Sequence, residues 1–154
     1  MSLVFYVNRL DPLGPALYFS RMESPIETNF YTLSAQNNIL CIEIMSAWDE
    51  RVVDAYHADL EKIMDACFSQ TPWAVYLDLT AWELSTPEAE KKLWDANRNR
   101  SNTPTHVAIV VGDSETRQWQ MKKMLRQVVN FESKLFTHDA DARQWLNRQG
   151  YAFT

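Results

Sequence analysis

Ser85 and Thr86, in the stretch "AWELSTPEAE", stand where an apolar run gives way to a charged, helix-forming one. A hydroxyl at such a join has two uses. It can accept a hydrogen bond from an orphan backbone N–H of the first helical turn, which is worth about 1 kcal/mol, or it can carry a phosphate, which helix N-termini favour. Ser85-x-x-Glu88 has capping-box spacing and Pro87 suits the first turn, so capping is the leading reading and phosphorylation of Ser85 or Thr86 the second. Other candidate chemistry is thin. Asp54, His57 and Glu61 share one helical face, but no committed third ligand accompanies them, so a solvated face is expected and no metal. His106 and His138 open a strand and a helix, and no Ser or Cys lies beside a histidine in a nucleophile elbow. The three glycines, Gly14, Gly112 and Gly150, are too few and too scattered for a Walker-type loop or a dinucleotide fingerprint. No cofactor and no enzymatic activity are expected.

These residues are positioned by an alternating pattern of elements. "IETNFYTLSAQNNILCIEIMSAW" reads as two extended runs around a polar turn, a hairpin. "DERVVDAYHADLEKIMDACF" places Val52, Val53, Tyr56, Leu60, Ile63, Met64 and Cys67 on one helical face, with Asp49 or Glu50 at its positive end. "WAVYLDL" is a buried strand, and a helix opens at Thr86-Pro87-Glu88 and runs to about Arg100, where "SNTP" closes it. "HVAIVVGD" is an apolar strand covered on both faces. "SETRQWQMKKMLRQVV" is a helix with Met121, Met124, Leu125 and Val128 inward, and Asp113 and Ser114 form its entry turn and cap. "ESKLFTH" is a last strand, and "DADARQWLNRQG" a last helix directing Ala142, Trp145 and Leu146 inward. The order predicts a single α/β domain. It has a mixed, largely parallel sheet of about four to five strands, about four helices and right-handed crossovers. Residues 1–21 are β-prone and interrupted by charges and prolines, an N-terminal appendage to a domain over 22–154 that could add to a sheet edge or reach a second subunit.

In open α/β sheets ligands collect where loops meet at the carboxyl ends of the strands. The candidate binding set is therefore Trp48, Thr80, Trp82, Ser85, Thr86, Asp113 and Ser114. Trp48 and Trp82 follow strands directly, where they either cover the core rim or line an apolar pocket or partner surface.

Charge narrows the partners. The formal charge of −5 argues against nucleic-acid binding. Residues 43–90 hold eleven acids against Arg51 and Lys62, net −9, whereas residues 91–126 hold eight bases against three acids, net +5. Such bipolarity suits either a protein partner or head-to-tail self-association, a homodimer included, beside the plainer reading of solvated helix faces. Cys41 and Cys67 sit in apolar runs and read as small core residues of a reducing compartment. No stretch approaches the about 20 apolar residues of a membrane span, and the N-terminus lacks the basic start and cleavage site of a signal peptide. The expected location is the cytoplasm.

Three stretches resemble the SpoIIAA-like (STAS-like) domains: "NILCIEIMSAWDERVVDAYHADLEKIMD", "VYLDLT" leading to a helix and "HVAIVVGD", and the closing "KLFTHDADARQWL". The resemblance covers residues 22–151 and implies that family's β/α superhelix. In its phosphorylatable members, the anti-sigma-factor antagonists, a strand Asp-Leu-Ser precedes an Asp-Ser-(Ser/Thr)-Gly turn whose serine is phosphorylated. Asp78-Leu79-Thr80 resembles the first part, but "AWELSTPEAE" lacks the second, and Ser85 and Thr86 match it only loosely. The resemblance implies a non-enzymatic regulatory module acting through a protein partner. The rival expectation is a protein that binds a small apolar or anionic molecule in the rim near Trp48 and Trp82.

Overall fold

The structure, a computed structural model, describes residues 24–69, 72–83, 85–98, 100–126 and 130–153. The appendage over residues 1–21, and Val128 with its expected inward side chain, lie outside the described residues. Strands β1 (Ile26–Glu27), β2 (Tyr31–Gln36) and β3 (Ile39–Ser46) come first, then helix α1 (Glu50–Cys67) and β4 (Ala74–Trp82). Helix α2 (Pro87–Arg98), β5 (His106–Val110), α3 (Glu115–Leu125), β6 (Glu132–Phe136) and α4 (Asp139–Arg148) follow. The six strands form one sheet in sequential order, antiparallel from β1 to β3 and parallel from β3 to β6. The expected strand count of four to five is exceeded by β1, two residues long and without an alternating pattern of its own.

Local chemistry accounts for the joins. The β2–β3 hairpin pairs Gln36 with Ile39 across Asn37-Asn38. Asn37 takes φ 54°, a left-handed conformation that asparagine tolerates better than most residues. The α1 cap is Asp49, whose Oδ1 accepts from the amides of Arg51 at 3.0 Å and Val52 at 3.1 Å. Near the end of β4 the register slips: Glu43 faces Asp78, but Met45 faces Ala81, so β4 carries one extra residue. Such a bulge takes a residue off the ladder, and Asp78 Oδ1 accepts both the Thr80 backbone N–H at 2.9 Å and the Thr80 hydroxyl at 2.7 Å. The Asp78-Leu79-Thr80 stretch thus has a structural use of its own.

Alternation along the strands divides the core in two. Leu40 and Ile42 of β3, Val75 and Leu79 of β4, and Val107 and Ile109 of β5 meet α1, α2 and α3 on one face. Ile39, Ala74, Tyr76, Ala108 and Val110 point the other way and meet Ala142, Trp145 and Leu146 of α4. On that second face Tyr76 donates to Asp139, and Arg143 Nε donates to the same Oδ1 at 2.8 Å. The Arg143 guanidinium also lies 4.3 Å over the Phe153 ring. Burial works against ionised Asp139, but the bonds from Tyr76 and Arg143 outweigh it and hold the carboxyl below its usual range.

Trp145 is 5% exposed and closes this second face. Trp145→Ala should cost about 3–5 kcal/mol, read as a lower denaturation midpoint with an unchanged slope in urea.

Candidate functional site

At the carboxyl ends of the strands, Trp48 and Trp82 are turned inward. Trp48 is 1% exposed, and its indole N–H donates to the carbonyls of Met45 at 3.0 Å and Phe30 at 3.2 Å. Trp82 is 6% exposed and donates to Ser85 Oγ at 3.1 Å. Ser85 is therefore engaged with an indole, and the helix cap falls one residue later than the Ser85-x-x-Glu88 spacing predicts. Thr86 Oγ1 accepts from Ala89 N at 3.1 Å. The reason is Pro87: a proline without an N–H fits the first helical position, which makes its predecessor the cap. Ser114 caps α3 as expected, accepting from Arg117 N at 3.1 Å. Arg117 in turn donates to the carbonyls of Val111 at 3.1 Å and Trp82 at 2.8 Å, tying the ends of β4 and β5 together.

Trp48, Ser85 and Thr86 share a wide, shallow depression with Phe30, Tyr31 and Arg51. Thr80 and Asp113 are exposed elsewhere on the rim, and Ser114 is half-buried at its cap. The seven candidate residues thus do not converge on one site.

The residues that do converge lie beneath the rim. Between the sheet and α1, α2 and α3 is a cavity of about 170 Å3. Strand residues such as Ile42, Leu77 and Ile109 form its floor, and Leu60, Leu93 and Met121 its helical walls. Trp48, Trp73, Trp82 and Trp94 also line it. The indole N–H of Trp73 is engaged by Asn102 Oδ1 at 3.0 Å, so like Trp48 and Trp82 it turns an apolar ring to the cavity with its N–H satisfied. Among the described residues the lining contains no Asp, Glu, His, Cys or Lys. Apart from the Tyr56 phenol of α1, its hydrophilic side chains among the described residues, Asn97, Arg100 and Thr103, come from the end of α2 and the segment after it.

Arg100 is the charged residue of this wall. Its side chain is 14% exposed, and Nη1 donates to Glu61 Oε2 at 2.6 Å and to the Met64 sulfur at 3.3 Å. Nε is buried and has no hydrogen-bond partner. His57 Nε2 is likewise buried without a partner. Burial first, and the Arg100 charge second, lower the His57 pKa; Asp54 and Glu61 pull it up, and Lys92 lowers it further. Sequence reasoning missed Arg100 because it carries no periodic signal and sits in the polar run "ANRNRSN". The available signal was the set of tryptophans on consecutive elements. The thiol of Cys41, half-buried on the other face, is pushed up to about 11 by burial. Among the described residues no group of three or more His, Cys, Asp or Glu could hold a metal ion. Nor, among them, is any helix long and apolar enough to cross a membrane.

Comparison with known proteins places the fold. No protein-family model and no curated protein matches the chain. A solved structure, described as an uncharacterized protein of the DUF3478 family with a SpoIIAA-like fold from Shewanella loihica PV-4, matches with a TM-score of 0.61. The match has 18% identity and covers 81% of this chain and 98% of that one. The chain therefore has a SpoIIAA-like, STAS-like α/β fold.

The caps and His57 give direct tests. Thr86→Ala should destabilise the protein by about 1 kcal/mol, and Thr86→Asp should restore most of it. Because the folded state lowers the His57 pKa, its contribution to stability is present above the unfolded value of about 6.5 and is lost as pH falls through the folded one. Melting temperature should fall on acidification below pH about 6.5, and His57→Gln should flatten that part of the profile.

Proposed function

We propose that this STAS-like module is a non-enzymatic protein that binds a small apolar molecule in the cavity between the sheet and helices α1–α3. One observation carries this reading: the cavity of about 170 Å3 walled by aliphatic, methionine and tryptophan side chains, with its few polar groups at one end. An engineered apolar cavity of about 150 Å3 stays dry and takes up benzene. The scale here suits one aromatic ring or a short alkyl chain. A lining that, among the described residues, carries no carboxylate, imidazole, thiol or ammonium favours binding over catalysis.

The alternative, a regulatory module docking a protein partner, draws its support from a different place than the Trp82–Ser85–Thr86 loop. Trp82 offers a partner almost no surface, whereas Trp119 on α3 is 60% exposed, with Lys123 5.4 Å over its ring. Lys122, Arg126 and Lys134 border the same patch, a surface that suits an acidic partner.

Octanol or benzene added to the purified protein should raise the melting temperature and shift the tryptophan emission. At a hundred times the Kd the stabilisation should reach about 2.7 kcal/mol. Filling the void with Leu77→Trp should abolish both responses. A wild-type protein that ignores both probes up to their solubility would end the cavity reading.

A further inference from the structure

Resting on the ligand-binding reading, we infer that the cavity takes an amphiphile, a short apolar body ending in a single carboxylate, and that Arg100 receives the carboxylate. Apart from the Tyr56 phenol on α1 and the indole N–H groups, the polar side chains of the described lining are Asn97, Arg100 and Thr103. A bound molecule would therefore meet largely apolar wall and a group of hydrogen-bonding side chains supplied by the end of α2 and the segment after it. Arg100 supplies the charge. It is largely buried, faces the cavity, and leaves Nε without a partner while Nη1 is held by Glu61. A buried donor left unpaired is costly, and an incoming carboxylate oxygen satisfies it with a charge-assisted bond. Asn97 and Thr103 add a carboxamide and a hydroxyl at the same end.

The local charge sets the ligand's sign and size of charge. Arg100 is the ionic group of the lining among the described residues, and its positive charge disfavours a cationic head group. Glu61 already stands 2.6 Å from its Nη1, so a monoanion is tolerated where a dianion would meet stronger repulsion. Glu61 is also a built-in competitor. Its side chain is 58% exposed, so it can turn to water when a ligand carboxylate arrives.

Octanoate and octanol share a chain and differ in the head group, so titrating both by calorimetry separates the two inferences. Arg100→Met should weaken octanoate by about tenfold or more, the loss of one charge-assisted bond, while octanol changes by no more than about twofold. Glu61→Gln keeps Arg100 and removes its competitor, so octanoate should bind more tightly and octanol equally well. This second variant also covers the case in which Arg100→Met fails to fold. If octanoate affinity is the same in wild type and both variants, or if both ligands weaken equally in Arg100→Met, the carboxylate assignment falls and the apolar cavity stands. If neither ligand binds the wild type, both fall together.

Discussion

The handedness of the β-α-β crossover governs this molecule. Strands β3 to β6 lie side by side in chain order, and each parallel connection turns the same way, so α1, α2 and α3 are all delivered to one face of the sheet. Among the described residues the other face is covered by α4 together with Tyr151 and Phe153 after it. The two faces meet this arrangement with different side chains. Under α4, Ala74, Ala108 and Ala142 are fully buried and let helix and sheet approach closely, with Trp145 and Leu146 closing the gap. Beneath α2 and α3 the cover is lighter. Among their described side chains α2 fully buries Ala89 and α3 Met121, while Leu93, Met124 and Leu125 are only partly buried. The void left there reaches α1 as well, whose Tyr56, Leu60 and Met64 line it beside Leu93 of α2 and the flexible thioethers Met121 and Met124 of α3.

Much of the fold was legible because the elements carry their own signals. The period of α1, the caps Asp49 and Ser114, and the inward set Ala142, Trp145 and Leu146 all follow from spacing and residue type. What escaped was fixed by tertiary context. The cap of α2 falls at Thr86 and not Ser85 because Pro87 takes the first helical position, and the indole of Trp82, three residues before Ser85, engages the serine hydroxyl. The β4 bulge depends on pairing with β3, which leaves no mark in the sequence of β4 itself. The cavity is a property of what three helices fail to fill, and no single stretch encodes it.

Charge shows the same contrast. Read along the chain, the acidic segment 43–90 and the basic segment 91–126 form two blocks of opposite sign. Folding brings them against each other: Lys92 meets Asp54 at 2.7 Å and Arg100 meets Glu61 at 2.6 Å, joining α1 to α2 and to the segment after it. An exposed pair such as Lys92–Asp54 adds little stability of its own, so its role is to set the seating of α2 on α1 more than to hold it. Part of the bipolarity is thus consumed within the fold. What remains for a partner is the patch around Trp119 on α3, where Lys122 and Lys123 face water.

The void itself has an energetic consequence. Wall atoms that face open space forgo the dispersion contacts a packed neighbour would give them. Larger side chains at Leu93 or Met121, both in the lining, would fill part of it. The space is lined instead by tryptophans, and Trp48, Trp73 and Trp82 turn their rings to it with their N–H groups satisfied. The room is lined mostly by apolar side chains with the Arg100 guanidinium in its wall, so its packing and its charge are the two features on which the proposed amphiphile depends.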